Sequence, residues 1–516
     1  MRLSVRNSVI TIFAITVINC LHGQVKNTPA AFELYQSKKL WHNTNNAAGS
    51  LIDNPFNYSV LSAGYNFYNG DFHRPQQGDN GSEAYVKSEG ALKLKGFYAW
   101  GAFSYTHENL DGAAFNASLI DPYRGMPYIV ADTNKSEWLK QHYDLRFRIS
   151  SIPSGKFAYG LGGIYKASIG AKQRDVRTQN LFYYFNLQPG ITYSLNKKNY
   201  LGLNGEYYGI KEVADNSNVN TYIDQQYYEL YGLGTAVQGI GSGRTTNYIG
   251  SAYGGNFQYN FAGNKINMLA EAGYTSKTED VEISFSVPKK DASIKDNLIN
   301  AKILLTAGTK NFTHFFTAQF LDRKIDGIQN VTKFDNAINQ RKWVIISSDV
   351  RSKYNTMTAI VKYDLVKERN DEYSWKSGLG AKYESIDDKY LIPASYKKAT
   401  NVTINAYGKK NVFISENLVK RLLIGLDLSY NQNLSGEYKY AGQHKDYPVV
   451  NDLENADLQY LMANYQSAEA TAVYSQKLNN TNKANLFLKL NFKYVNTTDF
   501  SFNNRYYGQV SIGSNF

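Results

Sequence analysis

From residue 56 to the C-terminus the chain alternates apolar and polar residues with a period of two. Tyr143, Leu145, Phe147 and Ile149 alternate with His142, Asp144, Arg146 and Arg148. Leu422, Ile424, Leu426, Leu428 and Tyr430 alternate with Leu423, Gly425, Asp427, Ser429 and Asn431. Ala484, Leu486, Leu488, Leu490, Phe492 and Tyr494 alternate with Asn485, Phe487, Lys489, Asn491 and Lys493. The segments 266–274, 299–307, 357–365 and 468–474 repeat the pattern, with Glu271, Lys302, Lys362, Asp364 and Glu469 at intervening positions. Period two predicts β-strands with one apolar and one polar face. A slip of one residue would bury every charge on the wrong side, so the register is strongly specified.

The links between strands alternate in length. Short ones fall near 95, 153–155, 196–198, 263–264, 308–311, 367–372, 416–420 and 478–483. Longer ones span 71–81, 108–137, 171–179, 213–246, 288–295, 326–349, 387–398 and 433–463, and a brief one at 496–499 precedes the last strand. Tyrosine and phenylalanine number 43 and 26, mean hydropathy is negative, and no long apolar run follows the first twenty-odd residues. Transmembrane helices do not fit that combination. It suits an all-β, transmembrane antiparallel β-barrel with both termini on the periplasmic side and an even strand number, about eighteen, with sixteen as the fallback. The count is least secure over 340–367. A large soluble sandwich or propeller is the rival reading, since such proteins also alternate.

The last residues, 505–516, read RYYGQVSIGSNF, with Tyr506, Val510, Ile512 and Phe516 on one face and Gln509, Ser511 and Asn515 on the other. An amphipathic strand ending on an aromatic residue resembles the closing strand of an outer-membrane barrel. That resemblance implies that Tyr506, Val510, Ile512 and Phe516 form the signal read by the barrel-assembly machinery. Residues 1–23 carry Arg2 and Arg6, an apolar run over 9–18 and Gly23. They read as a signal peptide cleaved before Gln24, too short for a spanning helix. Cys20 raises the alternative of a lipoprotein, but Asn19 stands where a lipobox needs Gly, Ala or Ser. Cys20 is the chain's single cysteine, so the mature protein uses no disulfides. Residues 24–55 are polar, with a short helix expected over 30–39 carrying Phe32, Leu34 and Tyr35. They read as a periplasmic or lumenal segment, or equally as a loose tail. The barrel occupies 56–516.

The formal charge of +12 is spread along the chain without a long basic block. Outer-membrane lipid, lipopolysaccharide phosphates and acidic solutes are the expected anionic neighbours, and nucleic acid is not expected. Arg146 and Arg148 point inward on the predicted register, Arg174 and Arg177 fall in the next external loop, and Glu206, Glu271, Asp364, Asp427 and Glu469 also point inward. An anion-attracting open pore and a lumen closed by salt bridges are both compatible with this mixture. In the loop DPYRGMPYIV at 121–130, two prolines and a glycine add stiffness. Tyr123, Arg124 and Tyr128 are candidates for an inward constriction that presents Arg124 to an anion, against a loop packed outward on its neighbours. His73, His107 and His142 lie near Asp71, Glu108 and Asp144 and are weak metal candidates, because spacing does not show that they converge. No nucleophile motif is present, so neither an enzyme nor a cofactor is expected.

GDFHRP at 70–75 and DPYRGMPYIV at 121–130, together with the Gln24 junction and terminal Phe516, resemble a Bacteroidota family of outer-membrane β-barrels of unknown function. The resemblance implies the barrel and an integral location in the outer membrane of a Gram-negative cell, and no catalytic residues. The functional expectation is a channel or substrate-specific porin for small polar or anionic solutes. The alternative is a non-transporting accessory or scaffold barrel, bound to other outer-membrane proteins in a larger envelope complex such as a TonB-dependent uptake or secretion machine. Residues 24–55 are too short to be the plug domain of such a transporter.

Overall fold

The computed structural model describes residues 28–220, 222, 227–239, 243–284, 287–336, 341–415, 419–478 and 484–516. The expected leader and the Gln24 junction lie outside them, as do parts of the turns expected at 416–420 and 478–483. The strands are β1 (Tyr58–Gly70), β2 (Asn80–Lys93), β3 (Phe97–Ala113), β4 (Val130–Asp132), β5 (Ser136–Ser151), β6 (Phe157–Lys172) and β7 (Arg177–Ser194). They continue as β8 (Asn199–Ser217), β9 (Tyr227–Gly232), β10 (Thr235–Gln238), β11 (Gly243–Ala262), β12 (Ile266–Ser284), β13 (Lys289–Gly308) and β14 (Phe312–Asp335). The remainder are β15 (Lys342–Arg369), β16 (Glu372–Tyr390), β17 (Ser395–Ser415), β18 (Lys420–Lys439), β19 (Tyr465–Lys477), β20 (Asn485–Asn496) and β21 (Asn504–Asn515). Two helices, α1 (Pro29–Lys38) and α2 (Ala456–Met462), flank and interrupt the series.

Among the described residues, eighteen of the strands form one antiparallel sheet that closes on itself. β3 pairs with β5 past β4, and β8 pairs with β11 past β9 and β10. β4, β9 and β10 make a separate three-stranded sheet. The seam runs from Val60 opposite Asn515 to Gly70 opposite Arg505. The backbone of Phe516 extends it by exchanging two hydrogen bonds with Ser59, at 2.8 and 3.2 Å. The closed antiparallel barrel and the even count of about eighteen therefore hold, and β21 lies between β20 and β1 as expected.

Alternation sorts the side chains. Leu145, Ile149, Leu161, Ile303, Phe320, Ile404, Leu426, Leu428, Leu490 and Ile512 are exposed on the outer surface. Gln509 turns inward, where it donates to Asn66 and Tyr85. Water does not favour a continuous apolar surface of this size, whereas a hydrocarbon layer does. No helix among the described residues is long and apolar enough to cross a membrane.

Several links are shorter than their sequence suggests. The connection expected over 326–349 is mostly strand: β14 and β15 stay paired out to Asp335 opposite Lys342, leaving only 336–341. The links expected at 171–179 and 387–398 shrink to 173–176 and 391–394. Strands of up to 28 residues exceed the roughly 9–11 needed to cross a bilayer. Beyond the lipid both faces meet water, so alternation fades while the backbone ladder continues.

Leu426 is 51% exposed at the centre of the outer apolar set of β18. Replacing Leu426 with Lys is expected to lower the folding free energy by about 2–4 kcal/mol, measured by urea titration of the barrel refolded into lipid vesicles. The same substitution at the neighbouring inward Gly425 carries no lipid-exposure cost.

Candidate functional site

The lumen is filled from both ends. At the short-turn end α1 begins where the Thr28 hydroxyl accepts from the Ala31 amide at 3.3 Å, with Pro29 in the first turn. Its Ala30 and Leu34 pack on Phe315, Val366, Tyr373, Leu423 and Val473 of the wall. Two 3-10 turns follow at Trp41–Asn43 and Ala47–Gly49. Trp41 is fully buried with Leu40, Leu269 and Leu304, and its indole donates to Asn260 at 3.1 Å. Asn46 donates to the carbonyls of Ile191 and Leu203 and, at 3.0 Å, to Gln258. Glycines on the wall make room. A Cβ at Gly160 would meet the backbone of Ala48, one at Gly190 the side chain of Asn46, and one at Gly202 the ring of Trp41.

Charges clamp the same segment. Arg148 donates to the carbonyls of His42 at 2.9 Å and Thr44 at 2.7 Å. It is inward, as its register requires, and it seats chain rather than solute. Burial, then Arg148 and Lys39, lowers the His42 pKa to about 4, so this imidazole is neutral at pH 7. The Glu33 carboxylate lies 2.9 and 3.1 Å from Lys409, 3.4 Å from Lys376 and 2.9 Å from the Tyr373 hydroxyl. Burial works to raise its pKa, but Lys409 and Lys376 outweigh it and the pKa is lowered.

At the opposite end the 114–135 link folds inward. Met126 and Tyr128 join a cluster with Tyr248, Val281, Ile294 and Ile325 of the wall. Arg124 forms an ion pair with buried Glu279 at 2.9 Å, and its guanidinium lies over the Tyr248 ring. Its charge is directed to the wall. Tyr123 stacks on Arg74, 3.3 Å from guanidinium to ring centroid, and its hydroxyl accepts from the Gln76 amide. Arg74 in turn makes a two-pronged pair with Asp457 of α2 at 2.5 and 2.8 Å. Lys397 contacts Glu454 and Asp457 at 2.6 and 2.8 Å. Burial would raise the Asp457 carboxyl, but Lys397 and Arg74 hold it at about 2. Thus GDFHRP and DPYRGMPYIV touch each other and are joined through Asp457 to the link before β19.

The other singled-out residues are scattered. Arg146 pairs with Asp144 at 2.8 Å, Arg174 donates to the Lys135 carbonyl, and Arg177 pairs with Asp175 at 3.0 Å. Of the histidines, His73 contacts Asp79 at 3.0 Å, while His107 alternates with inward Glu108 and faces outward. His142 bridges Ser168 at 2.8 Å and Glu108 at 3.1 Å, far from a shared metal position, and no cluster of three metal-ligating groups occurs among the described residues. Glu108 is also held by Lys140 at 3.1 Å. Ser168 sits within the β5–β6 and β6–β7 ladders, which occupy its backbone with sheet bonds. Val510 and Ile512 are exposed on the outer surface, with the Tyr506 ring stacked on Phe492.

Sequence reasoning set Lys362 and Lys489 on the polar face of their strands but did not single out Lys376 and Lys409, which grip Glu33. Lys362, Lys376, Lys409 and Lys489 line a lumenal cavity of about 570 Å³ beside α1. A second cavity, of about 800 Å³, lies at the short-turn end and is lined by Lys38, Leu40, Leu51, Ile52 and Asp53 with Lys93, Lys156 and Lys197. The available signal was the pair Lys376 and Lys409, opposite each other on adjacent strands, which the pattern of a single strand does not reveal.

Arg148→Ala removes a charged donor shared by two carbonyls. It is expected to weaken the seating of residues 41–46 by about 3–6 kcal/mol, each of the two charge-assisted bonds contributing about 1.5–3. Amide hydrogen exchange at Trp41–Asn43 should accelerate by more than about 100-fold, with exchange in β5 unchanged.

No curated protein sequence matches the chain. Among solved structures, BauA, the ferric preacinetobactin receptor from Acinetobacter baumannii, superposes with a TM-score of 0.40 at 9% identity, over 89% of this chain and 80% of that one. OpdK from Pseudomonas aeruginosa, solved with vanillate, gives 0.36 at 9% identity, over 89% of this chain and 98% of that one. At sequence level, a family profile matches residues 47–516, and the chain belongs to that family, the family of unknown function DUF6850.

Proposed function

We propose that this protein is an integral barrel of the outer membrane of a Gram-negative bacterium, with the Bacteroidota assignment resting on its two loop segments. Small polar or anionic solutes pass through its lumen, and residues 28–57 narrow the route. The observation that carries this reading is the pair of charged cavities lined by one short segment: α1 faces the 570 Å³ space and residues 40–54 face the 800 Å³ space. Ionisable side chains that border open space, instead of being paired in a packed interior, suit a lumen that takes up polar or charged solutes.

Arg148 and Asn46 hold the segment through wall and backbone polar groups, and it has no strand in the barrel ladder. The eighteen-strand closure is made without it. Lipopolysaccharide and bilayer lipid cover the outer face, and the assembly machinery receives the terminal strand.

Two measurements test this. Single-channel recording in planar bilayers should show small conductance for the full chain and a several-fold larger one after deletion of residues 28–57. Absence of conductance in both, with other envelope proteins co-purifying, would sink the pore and favour an accessory barrel. Phe516→Asp should reduce the heat-modifiable folded band in outer-membrane fractions; normal folded levels would refute the terminal signal.

A further inference from the structure

Lys376 on β16 and Lys409 on β17 stand directly opposite each other in the ladder. Like charges in that position repel, and such a pair is destabilising without an anion between. Asp364 of the wall stands 3.7 Å from Lys376 and also receives the Tyr407 hydroxyl, so the anion that reaches both lysines is Glu33, delivered by α1 from the far end of the sequence. Its two oxygens receive Lys409 at 2.9 and 3.1 Å, Lys376 at 3.4 Å and the buried Tyr373 hydroxyl at 2.9 Å. Every donor belongs to the barrel wall, and the acceptor belongs to a segment outside the ladder. The adjoining cavity of about 570 Å³ opens on the same lysines and adds Lys362 and Lys489.

We propose that the Lys376–Lys409 pair, with Tyr373, is a binding site for the carboxylate of a small organic acid, and that Glu33 is its built-in occupant, displaced when the solute binds. The inference deepens the transport reading, which brings the solute into the lumen. Asp427 and Glu469 line the same cavity; Glu469 is held by Asn491 at 2.7 Å. These carboxylates set a limit on the negative charge the space accepts, so the solute is a mono- or dicarboxylate rather than a polyanion. Displacement loosens α1, because Glu33 is its charged link to β16 and β17 while Ala30 and Leu34 keep only apolar contacts with the wall, whereas Trp41 and Asn46 hold the following turns to other strands.

The test uses the full chain in detergent micelles with succinate as probe, against inorganic phosphate and sodium chloride at matched ionic strength. Succinate should accelerate hydrogen exchange in α1 about tenfold or more while leaving 41–49 unchanged. By calorimetry, Glu33→Gln should tighten succinate about tenfold, because the competing occupant is gone and the competent fraction rises. Lys409→Gln should abolish binding, with heat-modifiable migration reporting that each variant is folded. No succinate binding to the full chain overturns the proposal, and so does binding indifferent to both substitutions. Equal binding and equal loosening of α1 by phosphate overturns the carboxylate assignment. Conductance without succinate binding removes the site and leaves the pore; succinate binding without conductance leaves the site and removes the pore.

Discussion

The ladder between β1 and β21 is the constraint on which the rest of the molecule depends. Closing the sheet leaves no edge strand, so every strand has a partner on both sides, which is the condition for crossing a hydrocarbon layer. It also divides the side chains into two populations with opposite requirements. Outward residues need only be apolar or small. Inward residues share one enclosed space, where polar groups must find one another: Gln258 reaches Asn204 and Glu271, and Asn431 reaches Asn401. The strand number sets the width of that space, and eighteen strands enclose more than wall side chains alone fill. The N-terminal segment and the external links fill the remainder.

Much of this was legible in the sequence because the ladder converts a one-dimensional pattern into geometry. Asp427 and Leu428 differ in fate by one position, and the period of two assigns both. The strand count, the pairing of β21 and a helix near 30–39 follow from local pattern and link length, and α1 at Pro29–Lys38 is that helix. Strand ends were less legible. At Val344, Ile345 and Ile346 consecutive apolar residues are exposed, and no alternation marks that β15 has already begun. The inner contacts were not legible at all. Arg124 looked free because its partner, Glu279, lies on β12, and the pairing of Glu33 with Lys409 joins distant segments that only closure brings together. Local sequence records which way a side chain points, but not what it meets across a lumen.

The two parts of the N-terminal filling are held by different physics. Trp41 and its neighbours are fixed by apolar burial, about 1.5–3 kcal/mol for a large side chain, and by hydrogen bonds from Arg148 and Asn46 to backbone carbonyls, none of which contains a carboxylate that a dissolved anion could replace. Glu33 is fixed by charge, which any anion of suitable shape competes for. An electrostatic latch followed by a buried anchor on a segment of some thirty residues lets α1 yield while the following turns stay.

The external end is also built of charge, so charge alone does not decide which closure responds to a solute; access does. Asp457, gripped by Arg74 and Lys397, has a side chain only 2% exposed. Breaking that network would strand buried ions, at a cost of about 3–5 kcal/mol for each pair broken from one side. The Glu33 and Lys409 side chains are 28% and 30% exposed and border an open cavity. There an incoming carboxylate can meet the lysines before Glu33 has fully left, so no bare charge is created along the way. The external network therefore acts as a fixed seam joining the two loop segments to α2, and the exchangeable contact lies at the opposite end, where the wall carries cations in excess of what it neutralises itself.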